Sequence, residues 1–136
     1  LRGHHLLATR SGVTMEGGFV RNVSAYPDIA DLYLVADVLI TDYSSVMFDF
    51  VNAGRPMLFY TWDLEDYRDR VRGLYFDLTQ DPPGPICRTS GEVLSALEDL
   101  PGVSQDYAGA YGRFRERFCA WEDGHAAARV VDAALR

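Results

Sequence analysis

At 136 residues, with 48% hydrophobic and 24% charged side chains, the chain has the size and composition of one globular domain that can bury a core. Its net charge of −7, with 13 basic residues that are all arginine, argues against a nonspecific nucleic-acid binder and gives no support to a basic membrane-surface patch. No apolar run approaches the roughly 20 residues of a bilayer span, and Cys87 and Cys119 lie far apart with no CxxC spacing, so they read as free buried thiols.

The chain opens on Leu1-Arg-Gly-His-His5, with neither an initiator Met nor a signal-peptide pattern, and reads as the interior of a longer protein. Leu1 to Ala8 is expected to form a strand or strand end. Side chains alternate on a strand, so His4 and His5 face opposite ways, and a structural histidine is the default over a metal pair. Phe19 to Ser24 is the next strand candidate. Asn22-Val-Ser24 matches a glycosylation sequon and is set aside without a secretory signal. Asp28 then caps a helix whose apolar stripe is Ile29, Leu32, Tyr33 and Ala36. That helix feeds the short apolar run Val38 to Ile40, so 19–40 reads as a βαβ unit.

Thr41, Asp42, Tyr43, Ser44 and Ser45 break the apolar pattern, and Val46, Phe50 and Ala53 resume it at helical spacing. The expectation is strand, tight turn, helix, with Ser44 or Asp42 as N-cap and Gly54 as the stop. Met57 to Tyr60 is another strand. Thr61 to Tyr67 follows it with the carboxylates Asp63, Glu65 and Asp66. Arg68 to Gly73 reads as a short helix, Leu74 to Leu78 as an edge strand, Asp81 to Pro85 as a rigid turn, and Ile86 to Arg88 as a last extended piece. Thr89 or Ser90 caps a helix burying Val93, Leu94, Leu97 and Leu100, which Pro101-Gly102 stops. Tyr107, Tyr111, Phe114, Phe118 and Trp121 then form an aromatic stripe that reads as core. Glu122 to Gly124 is a turn before an Ala-rich helix from His125 to Arg136.

The alternation β-α-β-α-β implies an α/β fold, a doubly wound Rossmann-like parallel sheet with extra C-terminal helices. Ligands of such sheets sit outside the carboxyl ends of the strands. The start of the Ser44 helix is therefore a candidate anion site, set against an ordinary capped helix. The acids after Tyr60 reach the same crevice if the strands are neighbours, set against a solvated acidic face. There is no GxGxxG, GxxxxGK[ST] or GxSxG motif, and a response-regulator receiver would need a lysine that this chain lacks.

Several segments, in order, resemble a known family: Arg2-Gly-His4, Asp28-Ile-x-Asp-Leu-Tyr33, Leu39-Ile-Thr-Asp-Tyr-Ser-Ser45, Phe48-Asp-Phe50, Arg55-Pro56, Glu65-Asp-Tyr-Arg-Asp69, Gly84-Pro85 and Glu122-Asp-Gly-His-Ala-Ala127. They resemble the CDP-glycerol glycerophosphotransferases, the teichoic acid polymerases and primases of bacterial cell walls. The resemblance implies the GT-B architecture of two Rossmann-like domains across a cleft. Residues 1–136 would be part of the C-terminal, donor-binding domain, and the N-terminal acceptor domain has no counterpart in them. It implies transfer of glycerol phosphate from CDP-glycerol to a lipid-linked acceptor with release of CMP, using no further cofactor and no metal. It also implies a parent enzyme in the cytoplasm, peripheral at the inner face of the membrane.

By resemblance, Tyr43, Ser44 and Ser45 cradle the diphosphate, Arg2 pairs with a phosphate, and His4 hydrogen bonds the phosphoryl group or transfers a proton. His5 stands where the family has an aromatic residue. Glu65 and Asp66 are assigned to glycerol or ribose hydroxyls, and Asp42 to a hydroxyl or a structural cap. His125 is expected to make a structural hydrogen bond. The chain alone is expected to show no turnover. The alternatives are a CDP-ribitol transferase, a nucleotide-sugar glycosyltransferase, or a non-catalytic binding module.

Overall fold

The computed structural model describes residues 1–3, 18–67 and 76–136, in two compact units, Leu1–Val35 and Ala36–Arg136. His4 and His5, the rest of the expected first strand, the expected helix Arg68 to Gly73, and Leu74 and Tyr75 lie outside the described residues.

In the first unit, helix α1 spans Ile29–Val35. Asp28 opens it as expected, with Oδ1 accepting from the Ala30 amide at 2.8 Å. Ile29, Leu32 and Tyr33 are half-buried while Ala30, Asp31, Leu34 and Val35 are exposed, so the expected stripe holds for its first three members, and Ala36 lies past the helix end. Phe19 to Ser24 does not form the expected strand. Asn22 Oδ1 accepts from the Ser24 amide at 3.0 Å, the Tyr26 amide bonds back to the Val23 carbonyl at 3.0 Å, and Phe19 is almost fully exposed. The Asn22 side chain offers the backbone a turn in place of a ladder. Residues 1–3 still run beside this segment. The Val23 amide donates to the Leu1 carbonyl at 2.8 Å and the Gly3 amide to Ser24 Oγ at 2.9 Å.

The second unit is built on a parallel sheet in the order β1 (Leu39–Thr41), β2 (Met57–Tyr60), β3 (Ile86–Cys87). Leu39 to Thr41 pair with Met57 to Phe59, and Phe59 and Tyr60 pair with Ile86 and Cys87. The central position of β2 explains its composition. Met57, Leu58 and Phe59 are fully buried, as a strand covered on both faces requires. Phe76 to Leu78 is not the expected edge strand. β3, read from sequence only as a last extended piece, takes the place beside β2.

Helix α2 (Val46–Phe50) runs into a single 3-10 turn, Val51–Ala53, and buries Met47, Phe50 and Val51. It stops at Gly54, whose φ of 67° is the left-handed conformation glycine adopts at little cost. The N-cap is Ser45, not Ser44 or Asp42, and its side chain makes no capping bond. After β2 comes α3 (Leu64–Asp66), anchored by buried Leu64.

Helix α4 (Ser90–Glu98) begins as expected at Thr89, whose Oγ1 accepts from the Glu92 amide at 3.2 Å. Glu92 reaches back to the Arg88 amide at 2.6 Å, a displaced form of the capping box. Pro101-Gly102 does not end the helical region. Asp99 breaks it and at once caps α5 (Leu100–Asp106) through the Gly102 amide, and Pro101 sits in the first turn, where its missing N–H costs nothing. Helix α6 (Ala108–Cys119) carries the aromatic stripe. Phe114 is buried against Phe48, and the Tyr111 hydroxyl donates to the Val51 carbonyl at 2.9 Å. Trp121 departs from the expectation. It lies past the helix end, 76% exposed, under the Arg129 guanidinium. Helix α7 (Ala126–Ala134) completes the chain with no buried residue. Cys87 and Cys119 are free and buried, as expected, and burial raises both thiol pKa values.

Candidate functional site

Because the three strands are parallel, their carboxyl ends open on one side of the sheet. Three segments emerge there: Asp42 to Ser45 after β1, Thr61 to Tyr67 after β2, and Arg88 to Ser90 after β3. The expectation that the acids after Tyr60 neighbour the Ser44 turn holds.

The first two segments are tied by Tyr43. Its hydroxyl donates to Asp63 Oδ1 at 2.9 Å, and its ring stacks on Tyr67 with centroids 3.9 Å apart and planes 13° apart. Burial first, and then the Asp63 carboxylate, push the phenol pKa well above its ordinary value, so Tyr43 stays a donor at any physiological pH. Asp63 stands at the N-cap of α3 without capping it. Its carboxylate is spent on the neighbouring loop.

Asp42 Oδ1 accepts from the Ser44 amide at 3.0 Å. This is a local turn made by a short acidic side chain. It shapes the loop and takes the Ser44 amide out of play for an external anion. The Ser44 and Ser45 hydroxyls have no hydrogen-bond partner among the described residues.

The second and third segments are tied by an ion pair, Arg88 Nη1 to Glu65 Oε2 at 2.7 Å, with both side chains about half exposed. The Tyr60 hydroxyl lies 3.4 Å from Ser90 Oγ. Glu65 therefore holds a cation, where the expectation gave it a hydroxyl of the ligand. Asp66 is exposed in α3. In the first unit, Arg2 Nη1 donates to the Tyr26 carbonyl at 2.8 Å. His4 lies outside the described residues. His125 precedes α7 and its amide donates to Asp123 Oδ1, a structural bond through the backbone rather than the ring.

Sequence reasoning placed Asp63 and Tyr67 in the crevice without assigning them partners, and it passed over Thr61 and Arg88. Thr61 is fully buried at the end of β2 and its hydroxyl has no partner among the described residues. Arg88 follows β3 directly, and treating 86–88 as a full strand with its own carboxyl-end loop would have flagged it. Among the described residues no cluster of His, Cys, Asp and Glu is placed to hold a metal ion.

The family model described as CDP-Glycerol:Poly(glycerophosphate) glycerophosphotransferase matches residues 1–136. The chain belongs to this glycerophosphotransferase family. It is 44% identical over 136 residues to a teichoic acid glycerol-phosphate transferase of Staphylococcus aureus, covering all of this chain and 34% of that protein. It is 42% identical over 136 residues to a teichoic acid poly(glycerol phosphate) polymerase of Bacillus subtilis, covering 18% of it. The structure of a variant of the wall teichoic acid polymerase TagF soaked with CDPG superposes with a TM-score of 0.83 at 36% identity, over 97% of this chain and 33% of that one. The chain thus spans about a fifth to a third of the length of these glycerophosphotransferase relatives.

Proposed function

We propose that this chain is the donor-binding part of an enzyme that moves glycerol phosphate from CDP-glycerol to a poly(glycerol phosphate) or primer acceptor. The observation that carries this reading is the likeness, at 36% identity over 97% of the chain, to a polymerase structure soaked with CDPG. A hydroxyl oxygen of the acceptor bonds to the β-phosphorus, the bond from that phosphorus to the bridging oxygen breaks, and CMP leaves with that oxygen. The acceptor proton passes to a base, for which His4 is the candidate. Charge develops on the phosphoryl oxygens, so positioned donors do most of the work.

The donors we assign are the Ser44 and Ser45 hydroxyls, at the carboxyl end of β1, where ligands of parallel sheets sit. The five residues of α2 give only a small helix dipole, so the hydroxyls carry more of the binding than the helix end. Tyr43 serves this loop as a strut, because Asp63 and Tyr67 already engage its hydroxyl and ring. Asp42 shapes the Ser44 turn. Asp66 is our candidate for a glycerol or ribose hydroxyl, and Arg2 for a phosphate contact.

The remainder of the reading follows the family. The chain is part of the C-terminal domain of a GT-B enzyme, and the acceptor is lipid-linked and shared with an N-terminal domain. No helix among the described residues is long and apolar enough to cross a membrane. We assign the parent enzyme a peripheral position at the inner membrane face.

Titration calorimetry of the chain with CDP-glycerol tests the assignment. A hydroxyl hydrogen bond to a charged group contributes about 1.5–3 kcal/mol. Ser44→Ala/Ser45→Ala is therefore expected to weaken CDP-glycerol by at least about tenfold. Unchanged affinity would move the diphosphate away from this turn. The strut role of Tyr43 is tested separately. Tyr43→Phe is expected to lower the unfolding free energy by about 1 kcal/mol, from the lost bond to Asp63, and to leave CDP-glycerol affinity within about threefold. A large affinity loss at unchanged stability would instead put the Tyr43 hydroxyl on the ligand.

A further inference from the structure

We propose that Arg88 is the side chain that holds the phosphoryl charge of the donor, and that Glu65 is its latch, the carboxylate it releases when the donor arrives. This inference rests on the donor-site reading above. Among the described residues of the three strand-end segments, 42–45, 61–67 and 88–92, Arg88 is the single basic residue, against Asp42, Asp63, Glu65, Asp66 and Glu92. A guanidinium among these carboxylates offsets the repulsion they would exert on a diphosphate. Arg88 follows β3 directly, and both it and Tyr43, the residue before Ser44, bond to the 61–67 segment, Arg88 through Glu65 and Tyr43 through Asp63.

The pairing with Glu65 has the character of a latch. Both side chains are about half exposed, at 45% and 59%. Exposed ion pairs contribute little, so exchanging one anion for another at the guanidinium is close to neutral. A phosphate offers the guanidinium two oxygens in the planar fork geometry it matches. Glu65 is fixed in α3, behind buried Leu64, and so holds the guanidinium at the strand ends while the site is empty. Glu65 thus acts as a positioning residue, and Arg88 as the one that touches the donor.

The test is titration of CDP-glycerol into the chain, wild type against Arg88→Ala, Arg88→Lys and Glu65→Gln, at low and at moderate salt, with folding checked by thermal melts. Arg88→Ala is expected to weaken binding at least about tenfold and to flatten its salt dependence, with Arg88→Lys in between. Glu65→Gln is expected to tighten binding about two- to fivefold, because it removes the competing carboxylate. Opposite signs separate this inference from a brace: if the ion pair only holds the loops together, both variants weaken binding alike, and the inference falls. It also falls if Arg88→Ala binds as the wild type does. If the folded wild type does not bind CDP-glycerol, the donor-site reading fails first and takes this inference with it.

Discussion

Gly84→Ala is expected to lower the unfolding free energy by about 4 kcal/mol, enough to unfold much of the population of a marginally stable domain. A Cβ at this position would lie 1.9 Å from the Met57 carbonyl oxygen and 2.9 Å from its carbon. Both are backbone atoms of the central strand, so no side chain can swing aside. Met57 pairs with Leu39 on one edge of β2, and the Phe59 amide donates to the Pro85 carbonyl on the other at 2.9 Å. Moving either segment to make room breaks part of the sheet that sets the three strand ends in register. Gly112→Ala is the control. It lies exposed within α6, with nothing within 4 Å of the added Cβ, and is expected to be neutral or stabilising by up to about 1 kcal/mol. Urea unfolding of both variants checks the pair. A Gly84→Ala protein within about 1 kcal/mol of wild type would mean that 83–85 and β2 are not packed as described.

The second large effect is expected at Phe114. It is 4% exposed and stacks on Phe48 with centroids 5.5 Å apart and planes 12° apart, with Phe118 at 4.8 Å and Phe76 at 5.9 Å. This cluster clamps α6 onto α2, the helix behind the Ser44-Ser45 turn. Truncating a buried Phe removes its transfer free energy and leaves a cavity, so Phe114→Ala is expected to cost about 3–4 kcal/mol. Phe114→Leu keeps most of the volume and is expected to cost about 1–2 kcal/mol. Thermal and urea unfolding measure both. Equal, small costs would show that the aromatic stripe is peripheral to the core.

The stretch Val38 to Gly54 could be read from sequence because every local signal agreed. An apolar run, polar breakers, helical spacing and a terminal glycine all point to strand, turn and helix. The same agreement placed Met57 to Tyr60 and the Thr89 cap. The expectation failed where a side chain competed with the backbone pattern. Asn22 turned 19–24 away from a strand, and Asp99 restarted a helix that Pro101-Gly102 was expected to end. Trp121 kept the helical spacing of the stripe, but α6 stops at Cys119, two residues before it. At the candidate site, Asp42 to Ser45 and Glu65 were visible as polar residues after apolar runs. The ties between them were not. Tyr43 to Asp63 spans 20 residues and Glu65 to Arg88 spans 23, and no periodicity links them. They become neighbours only through the strand order β1-β2-β3, which composition and spacing leave open.

The most direct test of the donor-site account is titration calorimetry of the wild-type chain with CDP-glycerol against UDP-glucose. The account predicts that CDP-glycerol binds, and that UDP-glucose binds at least about tenfold more weakly. A preference for UDP-glucose would contradict it and make the site that of a nucleotide-sugar glycosyltransferase. A folded chain that binds neither would contradict it as well, and leave the strand-end crevice without a donor.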